Sequence, residues 1–146
     1  MSNIKSFMAD DHRRCDVIFS EVEQAVEAAA WDRASAVFAS FSRAMQQHFS
    51  AEEDLLFPAF EAKSGMTMGP TQVMREEHVQ MRELMAAAQQ ALAAQDADDY
   101  SGNAETLLIM MQQHNMKEEN VLYPMCDDHL RDQAGALLPQ LQQKLQ

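Results

Sequence analysis

Residues 45–58 read MQQHFSAEEDLLFP, and residues 111–124 read MQQHNMKEENVLYP. Eight of the fourteen positions are identical, at an offset of 111 − 45 = 66. The same offset carries Asp11-His12 onto Glu77-His78, so each half holds a lone histidine after an acid and, 36 residues later, a His-x3-Glu. Self-similarity at a fixed offset marks one supersecondary unit used twice. Few turn-formers and an abundance of Ala, Gln, Glu, Leu and Met make that unit helical. The expected fold is all-α, an up-down four-helix bundle built as a duplicated helical hairpin with a short C-terminal helix.

Hydrophobic periodicity and chain breakers place the helices. Helix one is expected from about Asp10 to Ala29, with Met8, His12, Cys15, Phe19, Val22 and Val26 on its inner face. Helix two is expected to start near Asp32 as N-cap, to turn Phe38, Phe41, Met45, His48, Glu52 and Leu55 inward, and to bend or weaken at Pro58. Ser64-Gly65 through Gly69-Pro70 breaks the chain, and helix three follows from Thr71 to about Ala94, with Met74, His78, Met81, Met85 and Leu92 inward. Asp96 to Gly102 is polar enough to read as a loop. Helix four then spans about Asn103 to Met125, with Leu107, Met110, Met111, His114, Glu118, Val121 and Leu122 inward, and Leu130, Leu137, Leu138 and Leu141 form an amphipathic lid.

At 146 residues the chain is the size of a single domain, expected to cover 1–146. Eleven Lys+Arg against 23 Asp+Glu leave a net charge of −12, a surface that repels phosphate backbones and anionic headgroups, so nucleic acid and membrane partners are not expected. No apolar run reaches the ~20 residues of a bilayer span. Two cysteines make no disulfide scaffold, and the first residues show no apolar leader, which together lead to an expected cytoplasmic location.

An up-down hairpin rising ~1.5 Å per residue brings His12 level with His48, and His78 level with His114. Residues four apart share a helix face, so His48 with Glu52, and His114 with Glu118, present an imidazole and a carboxylate to one point. Six polar groups in a dry core cost several kcal/mol unless paired or metal-bound. His12, His48, Glu52, His78, His114 and Glu118 are therefore the candidate metal ligands. Imidazole and carboxylate without thiolate suit iron, manganese or zinc.

This pattern resembles the hemerythrin-like (HHE cation-binding) family over nearly the whole chain. The resemblance implies a bundle holding two non-haem iron ions, with the four histidines as terminal ligands and Glu52 and Glu118 as bridges. Oxygen carriers of the family have a fifth histidine where this chain has Met74, and a His-x4-Asp where it has His114-x3-Glu118. The four-His, two-Glu set is similar to the Ric-type iron–sulfur-cluster repair domain, although the cysteine-bearing N-terminal domain of those proteins is absent from this sequence. The implied function is binding or sensing of a small diatomic, O2 or NO. Reduction of NO or peroxide, a repair-related role, and an iron or redox sensor acting through metal-dependent conformation are the alternatives.

Remaining features have structural readings. The twelve methionines read as adaptable packing, and Cys15 and Cys126 as buried thiols. Tyr123 falls on Phe57 under the repeat, which reads as a packing ring. Asp11 and Glu77 are either acceptors behind the histidines or helix N-terminal charges. Glu53 and Glu119 are expected to face solvent, and His129 is expected at the surface, away from the cluster.

Overall fold

The computed structural model describes residues 3–146, which are helical with short connections and include no strand. Helices α1 (Ile4–Glu27) and α2 (Trp31–Ala51) form one hairpin, continued by a π-helical turn at Glu52–Leu56 and by α3 (Phe57–Ser64). Helices α4 (Pro70–Ala93) and α5 (Ala97–Lys117) form the second, continued by a π turn at Glu118–Leu122 and by α6 (Tyr123–His129). Helix α7 (Ala134–Lys144) follows. The hairpins pack through α2 on α4 and α1 on α5.

The repeat is visible in the turns. Ala29 and Gln95, 66 apart, each adopt a left-handed backbone with φ of 53°. The next amides reach back across each helix end, Ala30 N–H to the Ala25 carbonyl at 2.9 Å and Asp96 N–H to the Ala91 carbonyl at 3.0 Å. This six-to-one closure satisfies carbonyls that the helix itself leaves open.

Several boundaries differ from the sequence reading. Helix α1 begins at Ile4 rather than near Asp10, because Asn3 and Ser6 form a capping box. The carboxylate of Asp127 also accepts the Ile4 and Lys5 amides at 2.8 and 3.1 Å. Asp32 is not the N-cap of α2; that position is Ala30, and Asp32 lies in the first turn, where a negative charge suits the helix dipole. The stretch Asp96–Gly102 is no loop, since Asp96 caps α5 by accepting the Asp99 amide at 3.0 Å, and Tyr100 is buried against Phe38.

Pro58 and Pro124 do not end their helices. Phe57 N–H bonds to the Glu52 carbonyl, and Tyr123 N–H to the Glu118 carbonyl, each five residues back. The extra residue in the turn passes the chain over a proline that has no amide to offer. In the first half, the Arg75 guanidinium takes up the Glu53 carbonyl at 3.4 Å. The π turn also shifts the inner face by one residue. Leu56 and Leu122 are buried, Leu55 is only half-buried, and Val121, expected inward, is 52% exposed. Met110 is likewise half-buried.

Buried apolar side chains fall into two clusters. One, around Phe19, Phe38, Phe41, Met81, Met85 and Leu107, fills the hairpin-turn end. The other, around Ile4, Met8, Leu56, Phe57, Phe60, Met74, Leu122 and Tyr123, is covered by Leu130, Leu137 and Leu141 as the lid reading expects. Truncating Leu122 to Ala should cost about 2–5 kcal/mol, whereas Val121→Ala should stay within about 0.5 kcal/mol. Equal costs in urea unfolding would contradict the π-shifted register.

Candidate metal centre

Between the two apolar clusters lies a layer of buried polar groups: His12, His48, Glu52, His78, His114 and Glu118. Helix α1 supplies His12, α2 His48, α4 His78 and α5 His114, while each glutamate opens a π turn. One ligand atom from each of Glu52, His78, His114 and Glu118 falls within 4.8 Å of the others, and so it is for His12, His48 and Glu118. Glu118 belongs to both groups. Its Oε1 lies 3.0 Å from His12 Nε2 and 3.2 Å from His114 Nε2. Glu52 Oε1 lies 3.1 Å from His78 Nε2 and 3.5 Å from His48 Nε2.

All four rings present Nε2 to this centre because Nδ1 is held from behind. His48 Nδ1 lies 2.7 Å from Asp11, and His114 Nδ1 lies 2.8 Å from Glu77. His12 Nδ1 lies 2.7 Å from Glu119, and His78 Nδ1 lies 2.6 Å from Glu53. A carboxylate at Nδ1 fixes the proton there and leaves the Nε2 lone pair facing inward, the arrangement that metal-binding histidines use. Asp11 and Glu77 are thus acceptors behind the histidines. Glu53 and Glu119, expected to face solvent, serve the same purpose across the interface between hairpins. The π turn beginning one residue earlier re-aims them, a shift that α-helical spacing does not contain. Outside these, Arg14 supports Asp11 at 2.6 Å, Lys117 supports Glu77, and Arg82 grips Glu53 with two contacts of 3.0 Å.

Whether the donors fit a cation is decided by atoms left over. Glu52 Oε1, His78 Nε2, His114 Nε2 and Glu118 Oε2 are buried without a hydrogen-bond partner, and all four belong to the residues of one donor group. Stranding four such atoms in an apolar interior is costly. A cation among them satisfies every one. The Hemerythrin HHE cation binding domain matches this chain over residues 3–126. The chain belongs to that family. No curated protein and no solved structure gives a significant match.

The remaining sequence readings resolve around this layer. Tyr123, read as a packing ring, instead places its hydroxyl within 2.7 Å of Glu52 Oε2 and 3.0 Å of Glu118 Oε1. The five-residue step from Glu118 through the π turn puts it there. Met74 is buried in the second apolar cluster. Cys15 and Cys126 are buried, and burial pushes the Cys15 thiol up to about 11, so it is a packing group and not a thiolate. His129 is half-buried rather than fully at the surface, its ring against Phe60 and its Nδ1 on the Met125 carbonyl, outside the cluster.

Without a cation, protons take its place. Burial opposes charge on His48, but the Glu52 carboxylate and Asp11 outweigh it and hold the imidazole well above its ordinary value. Burial is likewise overcome at His114 by Glu118, which raises it from 6.5 to about 9. Burial also works against Glu53, yet His78 and Arg82 bring it down to about 2. A raised folded-state value stabilises fully below the unfolded value and ceases to do so above the folded one. His114 should therefore support the metal-free fold below pH 6.5 and lose that contribution as pH rises through about 9. Cation uptake should release protons, and apparent affinity should climb with pH toward the same limit. Metal titrations in a weakly buffered pH indicator test this; uptake without proton release would contradict the paired state.

Proposed function

We propose that the chain is a single domain, 1–146, whose hairpins close as an up-down four-helix bundle around two non-haem iron ions and bind or sense a small diatomic, O2 or NO. Manganese or zinc suits the same donors. His12 and His48 serve one ion, His78 and His114 the other, and Glu52 and Glu118 are shared, which the membership of Glu118 in both donor groups supports. The chemistry supplied by bound iron is reversible electron donation to the diatomic. The protein's part is to fix four imidazoles through their rear carboxylates, to keep water scarce, and to limit what arrives.

Size supports the choice of ligand. A cavity of about 10 Å³ adjoins the layer, lined by His12, His48 and His114 together with Cys15, Met45, Phe49, Met81 and Met111. That is room for one water-sized species, far below the 300–1,000 Å³ of sites for larger organic ligands. A roomier cleft of about 260 Å³ at Glu23, Tyr100 and Leu108 has no imidazole.

The two halves differ in how they shut this cavity. Phe49 stacks on His78 at 4.0 Å, with Arg82 over the Phe49 ring at 5.0 Å. Under the offset of 66, Phe49 corresponds to Asn115 and Arg82 to Asp16. Asn115 lines the internal cavity and also a surface cleft with Asp16, Gln112, Met116, Glu119 and Asn120. Where one seam is sealed by a ring and a cation, the other offers an amide between two acids. The ligand's route therefore runs past Asn115.

The acidic surface gives nucleic acid and membranes no purchase, and no described helix is long and apolar enough to cross a membrane. The cytoplasm is the proposed location. An iron-sensing role is the second reading, favoured because the polar layer ties α1, α2, α4 and α5 together, so that loss of the cation loosens all four.

Glu118→Ala should abolish metal retention, Glu53→Gln should weaken it by about 10–100-fold, and exposed Glu76→Gln should leave it intact. Metal analysis after dialysis reads all three, and equal loss in each would sink the ligand assignment. Asn115→Phe should copy the seal that Phe49 provides and slow NO association in stopped-flow by at least about tenfold, with metal content unchanged; unaltered rates would place the route elsewhere.

A further inference from the structure

Tyr123 is fully buried, and its hydroxyl sits among more partners than one phenol can serve. Besides Glu52 Oε2 at 2.7 Å and Glu118 Oε1 at 3.0 Å, it lies 3.2 Å from both His12 Nε2 and His48 Nε2. A phenol has one proton to donate. In the cation-bound state, with the imidazole protons on Nδ1 alone toward Glu119 and Asp11, neither Nε2 has a hydrogen to give the phenol oxygen, and both carboxylate oxygens compete for its one proton. Neighbouring ligands at right angles on one ion, with bonds of about 2.0–2.2 Å, stand about 3 Å apart. The phenol oxygen keeps that spacing from four donor atoms at once.

We propose that Tyr123 is a seventh protein ligand, a phenolate bound to the ion held by His12 and His48. This rests on the two-metal reading above. Coordination replaces the phenol O–H bond by an oxygen–metal bond, and the proton leaves to solvent. The duplication makes the ligand one-sided: the matching residue is Phe57, whose ring lies 5.9 Å from that of His78 and has no donor. The pair is therefore unsymmetrical, one ion carrying a phenolate and its neighbour facing a hydrocarbon ring. Tyr123 belongs to the apolar cluster that contains Leu56, Leu122 and Met74, and it does not line the cavity by Met45, Met81 and Met111. It closes the layer on the side opposite the ligand's approach.

The test uses the full chain loaded with ferric iron. Wild type should show a visible phenolate-to-iron charge-transfer band, with tyrosinate ring vibrations enhanced in resonance Raman. Tyr123→Phe should lose both while keeping two irons, and its fold should survive because Phe57 shows that a phenyl ring fits the equivalent place. The chain has only two tyrosines, so Tyr100→Phe should leave both signals unchanged, which assigns them to Tyr123 even if the first variant is unstable. Two bound irons without tyrosinate vibrations in wild type would overturn this inference alone, as would signals that vanish in Tyr100→Phe. A wild type that retains no iron would overturn the two-metal reading together with it.

Discussion

Each imidazole at the centre points one nitrogen inward because a carboxylate holds the other from behind. Without Asp11, Glu53, Glu77 and Glu119 the rings could rotate or carry their proton on the wrong atom, and the centre would offer hydrogen-bond donors where a cation needs lone pairs. The four rear contacts also run between helices. Asp11 on α1 reaches His48 on α2, Glu77 on α4 reaches His114 on α5, and Glu53 and Glu119 cross between the hairpins to α4 and α1. The contacts that prepare the site therefore also set which helix faces which. Burying this much charge is tolerable only because every carboxylate is paired, and each pair is destabilising if one member is removed.

Much of this was legible in the chain. The repeat at 66 gave away the paired hairpins, and the spacing of His48 with Glu52 and of His114 with Glu118 placed all six central groups, which the structure brings into one layer. The misplaced side chains near the centre trace to one cause. An α-helical period was carried through Glu52–Leu56 and Glu118–Leu122, where the chain has one residue more per turn. That single shift turned Val121 outward, turned Glu53 and Glu119 toward histidines, and brought Tyr123 to the centre. The prolines at 58 and 124 were the available signal, since a helix that must continue past a missing amide needs a different hydrogen-bond step. The starts of α1 and α5 were missed because short polar side chains that suit loops also make caps.

The polar layer divides what would otherwise be one continuous core. On one side Cys15, Met45, Phe49, Met81 and Met111 border a small cavity; on the other Phe57, Leu56 and Leu122 pack in the cluster that α7 covers. Met45, Met81 and Met111 give the first side unbranched, polarisable chains that pack adaptably around the cavity. The second side has Phe57, Phe60 and Tyr123 beneath the lid.

Duplication alone would have made two equal halves, and the differences between the halves are what make a usable site. Arg82 and Phe49 shut the seam beside His78, while their counterparts Asp16 and Asn115 leave a cleft beside His12. Phe57 gives His78 only a ring, while Tyr123 gives His12 and His48 an oxygen. Both departures fall on the same half of the layer, so the imidazole beside the cleft, His12, is also one with a phenol oxygen beside it. The hydroxyl belongs with Leu56 and Leu122 on one side of the layer, and the cavity with Met81 and Met111 on the other. Two imidazoles in each half follow from the repeat itself; the cleft at Asn115 and the hydroxyl of Tyr123 come only from its departures.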